Sequence, residues 1–337
     1  MIIKDINKQQ IPIAGNILPI NKDNIIPIKI DKKIEIVVVP NLGEPNSHQD
    51  NVGIILEEKK IQRILSKRYK HVLITEINSM DDLEQLARRK PDLVFSGVKY
   101  FCFNNKKIWL NDYLEIFLIP YIASSKAALD NESDKNRAKN IIQQNNIRTA
   151  DYFITNPGEY IKESSIPIKF PLFIKPITGG DSRGVDKNSL VFNFEEFTAK
   201  VLDIKLNLNT SSLVETYLAG KEYSVGIFED SIDGSLRAMP IEIIVKKNID
   251  GYCILDFDVK KNDEEEVVLV SDKKIFKKLT EIAKNSFVAL GGKSLGRIDI
   301  KMDHLGEPHF IEANLMPGLR KGYFYRSCLL NLDMSYD

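Results

Sequence analysis

No charge of either sign predominates in this chain: 47 lysines and arginines face 47 aspartates and glutamates, a formal net charge of +0 at pH 7. Without a global field, neither nucleic acid nor an anionic membrane is expected as a partner, although a local basic site stays compatible with neutrality. Long hydrophobic runs are missing as well. Apolar stretches such as residues 34–39, interrupted by Glu35, fall far short of the ~20 residues that span a bilayer. The opening Met1-Ile2-Ile3-Lys4-Asp5 lacks a basic segment followed by an apolar one, so no secretory signal is expected. Cysteine is scarce: Cys102, Cys253 and Cys328 are odd in number and far apart. They fit neither a disulfide framework nor a zinc site, suit a reducing cytoplasm, and read as small buried hydrophobes. Repeats and low-complexity tracts are absent too. What is there is an ordinary globular composition, 43% hydrophobic and 28% charged over 337 residues. At ~150 residues per domain, that length suggests two or three compact units.

Residues 1–33 mix isoleucine with Asn, Lys, Pro and Asp without a sustained period, and read as an extended arm. From Lys33 the pattern sharpens. Strands are expected over 34–39, 71–77 and 92–95, with helices over 54–69 and 80–90 between them. Ser79 and Asp82 resemble a capping box opening the second helix. This alternation predicts a parallel α/β unit over 34–125. A second, α+β unit over 126–214 holds a helix at 134–145, a strand at 171–176, a loop at 177–185, a strand at 189–192, a helix at 194–204 and a strand at 212–216. From 215 to 337, strands of alternating polarity are expected at 222–228, 236–245, 266–270, 296–302 and 309–312, with a helix at 273–290.

Three segments carry chemistry. Arg297 and Asp299 alternate along one strand, and Glu312 and Asn314 along the next. Each pair therefore projects to one face, and the two strands together offer two carboxylates, an amide and an arginine. Such hard oxygen ligands suit magnesium, which takes few protein ligands plus phosphate oxygens and water. A solvated hairpin with a surface salt bridge explains the segment equally well. Lys175 ends a strand just before the loop containing Gly179, Gly180, Ser182 and Gly184. Such a loop presents backbone N–H groups to phosphate beside a lysine charge. Its spacing matches neither Walker A nor GxGxxG, and a plain surface turn remains open. Third, Val214-Glu215-Thr216-Tyr217-Leu218 followed by Glu222 suits a linker that binds adenine, with the Glu222 carboxylate on ribose hydroxyls. An ordinary hairpin with exposed acids is its rival.

Together these segments resemble the ATP-grasp superfamily and, within it, the D-alanine–D-alanine ligases. The order agrees: an Asp134-Lys135 helix, Phe173-Ile174-Lys175-Pro176, the glycine loop, Glu215-Thr216-Tyr217-Leu218 with Glu222, Gly296-Arg297-Ile298-Asp299, and Glu312-Ala313-Asn314-Leu315-Met316-Pro317-Gly318. The likeness is specific from about Pro120 to Asp337, weak over 33–119 and absent before. It implies that Lys135 and Lys175 hold the α- and β-phosphates and that Lys260 reaches the γ-phosphate. Glu215, Tyr217 and Leu218 would line the adenine slot, and Glu222 the ribose. Asp299, Glu312 and Asn314 would hold two magnesium ions, with manganese as an alternative. Arg297 and the Gly318 backbone N–H would stabilise the tetrahedral oxyanion. Phosphoryl transfer asks the protein mainly for position and neutralised charge, which these residue types supply.

Departures lie in the substrate half. The family's GGxSxExxVS-type segment is replaced by Pro40-Asn41-Leu42-Gly43-Glu44-Pro45-Asn46-Ser47-His48, and its HGxxGEDG segment by Phe95-Ser96-Gly97-Val98-Lys99-Tyr100-Phe101. The Ser-Leu pair that receives the acceptor's carboxylate is replaced by Tyr323-Phe324. The resemblance therefore implies an α/β protein of ATP-grasp type. It would comprise a parallel N-terminal unit, a small central unit and an antiparallel C-terminal unit, with ATP between the last two. The implied activity is an ADP-forming carboxylate–amine ligase acting on small amino-acid or peptide substrates through an acyl phosphate, in the cytoplasm, with a homodimer allowed. Its rivals are a ligase for another amino acid or peptide, a nucleotide-binding regulator without ligation, and a kinase that stops after phosphoryl transfer.

Overall fold

The computed structural model describes residues 29–38, 52–54, 56–104, 106–179, 184–230, 233–247, 251–320 and 322–336. The chain begins with β1 (Ile30–Val38), β2 (Val52–Gly53), α1 (Glu58–Leu65), β3 (Tyr69–Glu76), α2 (Met80–Arg89), β4 (Leu93–Ser96), β5 (Val98–Phe103), β6 (Lys106–Trp109), α3 (Leu110–Ile116) and β7 (Tyr121–Ile122). A parallel sheet of order β3-β1-β4-β7 forms here, beside a small antiparallel sheet β2-β5-β6. Ile34, Ile36 and Val37 of β1 are buried, as expected of a central strand covered on both faces. The Ser79–Asp82 capping box opens α2 as expected. The helix expected over 54–69 shrinks to α1. Ile54 stands seven residues before Ile61, as on a helix face, yet it and Leu56 pack against β1 and β3 from chain outside the helix, and Tyr69 starts β3. The β5–β6 hairpin and α3 were not anticipated. Gly97 allows the sharp passage from β4 into β5, because a Cβ there would sit 2.5 Å from the Ile54 carbonyl oxygen.

Next come α4 (Lys126–Ser133), α5 (Lys135–Gln144), β8 (Tyr152–Thr155), β9 (Leu172–Pro176), β10 (Leu190–Val191), α6 (Phe194–Leu208) and β11 (Ser212–Thr216). Their antiparallel sheet has the order β10-β9-β11-β8. Phe197, Val201 and Ile204 recur along α6 and bury against Leu172, Ile174 and Val214. The last part holds β12 (Glu222–Glu229), β13 (Leu236–Ile244), α7 (Phe257–Asn262), β14 (Glu266–Leu269), α8 (Lys273–Ala289), β15 (Leu295–Met302), β16 (Pro308–Asn314) and α9 (Tyr323–Leu332). Its five-stranded antiparallel sheet runs β14-β13-β12-β15-β16. Tyr223, Val225, Ile227, Ile298 and Ile300 alternate onto one face and bury against Leu279, Ala283 and Phe287 of α8. The opposite face is left for α9 and for the site. The mixed α/β class with one parallel and several antiparallel sheets is the class expected from the sequence.

Candidate functional site

Register across β12, β15 and β16 builds the site face in rungs. Glu222 pairs with Lys301, Ser224 with Asp299, and Gly226 with Arg297. Asp299 then pairs with Glu312, and Arg297 with Asn314. Because alternate residues share a face, successive rungs lie about 6.8 Å apart along the strands. The middle rung carries Ser224, Asp299 and Glu312. Ser224 donates its buried hydroxyl to Asp299 Oδ1 at 2.7 Å. Arg297 folds along the strand to bind Asp299 through Nε and Nη2, at 3.0 and 2.9 Å. Burial works against the Arg297 charge, but Asp299 and Glu312 outweigh it and hold its pKa above the ordinary value.

Glu312 makes no hydrogen bond or ion pair among the described residues. Burial alone would raise its pKa, yet Lys260, Lys135, Lys175 and Arg297 surround it and bring it down to about 2. The carboxylate is therefore ionised at neutral pH in a strongly positive setting. Lys135 is the first residue of α5, whose N-cap Asp134 accepts from Asn136 N and Arg137 N. Its Nζ reaches over to the carbonyl of Gly179 at 2.7 Å. Lys260 sits on α7, capped by Asp256, which accepts from Val259 N.

Glu215 lines the cleft as the adenine-slot expectation requires, but its carboxylate is committed elsewhere. It lies between Lys139 Nζ at 2.5 Å and Lys175 Nζ at 2.6 Å, with all three side chains at most 7% exposed. Burial opposes the Glu215 charge, and the two lysines outweigh it, so its pKa is lowered. Lys175 is likewise desolvated, and Glu215, Glu312 and Glu222 together more than offset this and raise its pKa. For Lys139 burial wins, and its pKa falls.

Lys135, Lys175, Gly179, Glu215, Tyr217, Leu218, Glu222, Lys260, Asp299 and Glu312 all line one open cleft of about 900 Å³ between the sheet of β9 and the sheet of β15. Asn314 lies one rung further along, and its Oδ1 accepts from Met316 N at 3.2 Å. Gly318 follows β16, and a Cβ there would meet nothing within 4 Å. Gly180 and Ser182 lie outside the described residues, as does the segment 39–51 that contains Glu44. Three polar residues of the site were missed in the sequence: Lys139, Ser224 and Lys301. Lys139 stands four residues after Lys135, one helical turn on, and that spacing was the available signal. Ser224 and Lys301 could be found only by knowing the strand register.

The far end of the face is closed by α9. A Cβ on Gly226 would sit 2.8 Å from Ser327 Cβ, and Gly226 N donates to Ser327 Oγ at 3.3 Å. Tyr323 lies on the Arg297 side, with 5.6 Å between the guanidinium carbon and the ring centre. Its hydroxyl donates to the buried Glu265 Oε1 at 2.9 Å, and burial together with Glu265 pushes its pKa far up. Glu132 of α4 accepts from both Lys99 Nζ and the Leu315 N–H, tying the β5 strand to the turn after β16.

Among the described residues no helix is long and apolar enough to cross a membrane. The donors also suit the metal named above. Among the described residues no cluster of three His, Cys, Asp or Glu forms, whereas Asp299 and Glu312 face each other beside the Asn314 amide, a set that fits magnesium completed by phosphate oxygens.

The family model described as "D-ala D-ala ligase C-terminus" matches residues 141–337. The D-alanine–D-alanine ligase of Aquifex aeolicus is 31% identical over 241 residues, 70% of this chain and 75% of that protein. The one from Streptococcus pyogenes serotype M49 is 25% identical over 234 residues, 67% of this chain and 64% of that protein; the match to it thus spans less than two thirds of its length. Two solved structures share the fold at 18% identity. The D-alanine–D-alanine ligase of Bacillus anthracis complexed with ATP has a TM-score of 0.61 and covers 88% of this chain and 91% of its own. The VanG D-Ala:D-Ser ligase of Enterococcus faecalis has a TM-score of 0.62 and covers 91% and 96%. With the matched model spanning more than half of its length, the chain belongs to the D-alanine–D-alanine ligase family of ATP-dependent, ATP-grasp ligases.

Proposed function

We propose that this chain activates a small carboxylic acid with ATP and joins it to the amine of a second amino acid or peptide. Lys135, Lys175 and Lys260 hold the triphosphate; Tyr217, Leu218 and the neighbouring backbone hold adenine; Glu222 accepts from the ribose. The terminal phosphoryl group passes to a carboxylate oxygen, giving an acyl phosphate and ADP. The amine then attacks the carbonyl carbon, and the C–O bond to phosphate breaks as the amide forms. Arg297, with guanidinium donors left over from Asp299, and the Gly318 N–H stabilise the oxyanion between those events. Asp299, Glu312 and Asn314 hold two magnesium ions, or manganese in their place, which neutralise phosphate charge when bound. The observation that carries this reading is Glu312, an ionised carboxylate without a hydrogen-bond or ion-pair partner among the described residues, lining the cleft amid the charges of three lysines and an arginine. Such a surplus of fixed positive charge suits a polyphosphate with its metal better than a neutral ligand.

The chain divides into a parallel α/β unit (34–125), a central unit (126–214) and a C-terminal unit (215–337), and works on soluble substrates in the cytoplasm; of the arm expected over 1–33, residues 1–28 lie outside the described residues and 30–33 open β1. Tyr323 favours an acceptor other than D-alanine. Its hydroxyl is spent on Glu265, and its ring, with buried Phe324, fills the place expected to receive a small acceptor's carboxylate. ADP release measured against a panel of D- and L-amino acids tests both points. Release that needs two amino acids supports ligation, release with one acid alone supports a kinase, and none supports a regulator. A D-alanine kcat/KM matching that of every other acceptor overturns the acceptor assignment.

A further inference from the structure

One side chain of the site face, Lys301, has no part in the chemistry above, although Glu222 on the same rung is assigned to the ribose. Glu222 and Lys301 stand directly opposite on β12 and β15, with Nζ 2.9 Å from Glu222 Oε2 and side chains only 16% and 11% exposed. Both line the cleft. The Cys253 carbonyl on the same wall accepts from the Tyr217 hydroxyl at 3.1 Å and from Lys301 Nζ at 3.5 Å. Lys301 Nζ also lies 5.6 Å from the centre of the Tyr217 ring. A buried cross-strand ion pair is weak evidence of a stabilising device, since apolar pairs of the same volume serve as well or better. Placed at the nucleoside end of a ligand cleft, and sharing a carbonyl with an aromatic of the adenine slot, it has a different use. An ionised carboxylate only accepts hydrogen bonds, and ribose offers two hydroxyl donors. With Oε2 held by Lys301, the Oε1 atom is left to take them in a fixed orientation.

We propose that Lys301 is a positioning residue for nucleotide recognition: it pins Glu222 as the acceptor that selects a ribose over a deoxyribose. This rests on the reading that the cleft binds ATP. Hydrogen bonds to a charged partner discriminate by about tenfold or more. The test is calorimetric binding of ADP and 2′-deoxy-ADP, each with magnesium and without amino acids, to the wild-type chain and to Lys301→Met, which keeps the length of the side chain and removes its charge. Wild type should prefer ADP by about tenfold or more. In the variant ADP binding should weaken while 2′-deoxy-ADP binding changes little, so that the ratio falls to within about threefold. Loss of affinity for both nucleotides by the same factor would mean a structural pair only and overturns the proposal, as does a wild type that does not discriminate. A wild type that binds neither nucleotide overturns instead the reading of the cleft, and this inference with it. If the methionine variant does not fold, Lys301→Gln is measured in the same way against the same outcomes.

Discussion

Replacing Glu215 by glutamine removes one negative charge from between two buried lysines while leaving the shape unchanged. Both carboxylate oxygens are in use, at 2.5 Å from Lys139 and 2.6 Å from Lys175, and the lysines are 1% and 5% exposed. Breaking a buried pair from one side costs about 3–5 kcal/mol, because the remaining charge stays desolvated. Here two charges are stranded, so the upper half of that range is expected. Lys139 keeps the Thr149 hydroxyl at 2.5 Å, the face of Tyr152 at 5.1 Å and the more distant charge of Asp151. For a cooperative unit of 150–250 residues each kcal/mol shifts Tm by ~2–4 °C, so a fall of about 8–20 °C follows. The pH dependence carries the sign of the mechanism. Without Glu215 the pKa of both lysines falls in the folded state, while unfolded lysine stays near ~10.4. The unfolded chain then binds more protons than the native one, and stability rises with pH in that window. The deficit should therefore shrink between pH 7 and 10, in contrast to an uncharged packing defect. Denaturation of both proteins at several pH values checks this. A deficit below about 1 kcal/mol, or one that stays constant with pH, refutes the argument.

Glu312→Gln should keep native circular dichroism at pH 7 yet drop ADP release below about a tenth of wild type, a loss of more than ~1.4 kcal/mol in the transition state. The same change should flatten the acid limb of the stability profile. The lowered pKa of Glu312, about 2, means that its contribution is complete above its unfolded pKa and disappears as pH falls through its folded one. Ser224→Ala removes a donor to the Asp299 carboxylate and should destabilise by about 1.5–3 kcal/mol in urea. Gly226→Ala sets a methyl 2.8 Å from Ser327 Cβ and should cost about 1–3 kcal/mol by lifting α9 from the sheet; Ser327→Gly in the same chain should recover part of it.

The part of the site that was legible in the sequence was the part written in period two. Arg297 with Asp299, and Glu312 with Asn314, share a face because a strand alternates, and that much needs no register. Which residue of β12 stands opposite Asp299 depends on pairing, and so Ser224 and Lys301 stayed hidden. The bulge between Asp299 and Ile300 adds to the difficulty, since it shifts the partner of Ile300 to Phe310. Helix boundaries failed where apolar spacing had a second use. Ile54 sits seven residues before Ile61, which suits a helix, but it and Leu56 fill the core from chain outside the helix beside Gly97. The β5–β6 hairpin escaped because its strands are short and follow β4 almost without a break. Glu215 was recognised as part of the cleft, but its ion pairs were not, because they join β11 to α5 and to β9, both far away in sequence.

Asp299 shows how these layers meet. In the structure its carboxylate accepts from Ser224 and twice from Arg297. Ser224 and Arg297 Nε both fall on Oδ1 and use its two lone pairs, while Oδ2 accepts one bond and keeps acceptor capacity for a hard cation. Arg297 in turn has five N–H donors and spends two on Asp299, leaving three for other partners. One strand, β15, thereby couples the two groups assigned to the proposed reaction: the Asp299 carboxylate and the Arg297 guanidinium start one rung of about 6.8 Å apart along the backbone and meet at their tips. Lengthening that spacing by a residue would also turn one of the two side chains to the α8 core. Rate and fold thus depend on the same alternation, which is why the pair is read as a unit rather than as a metal ligand beside an independent arginine.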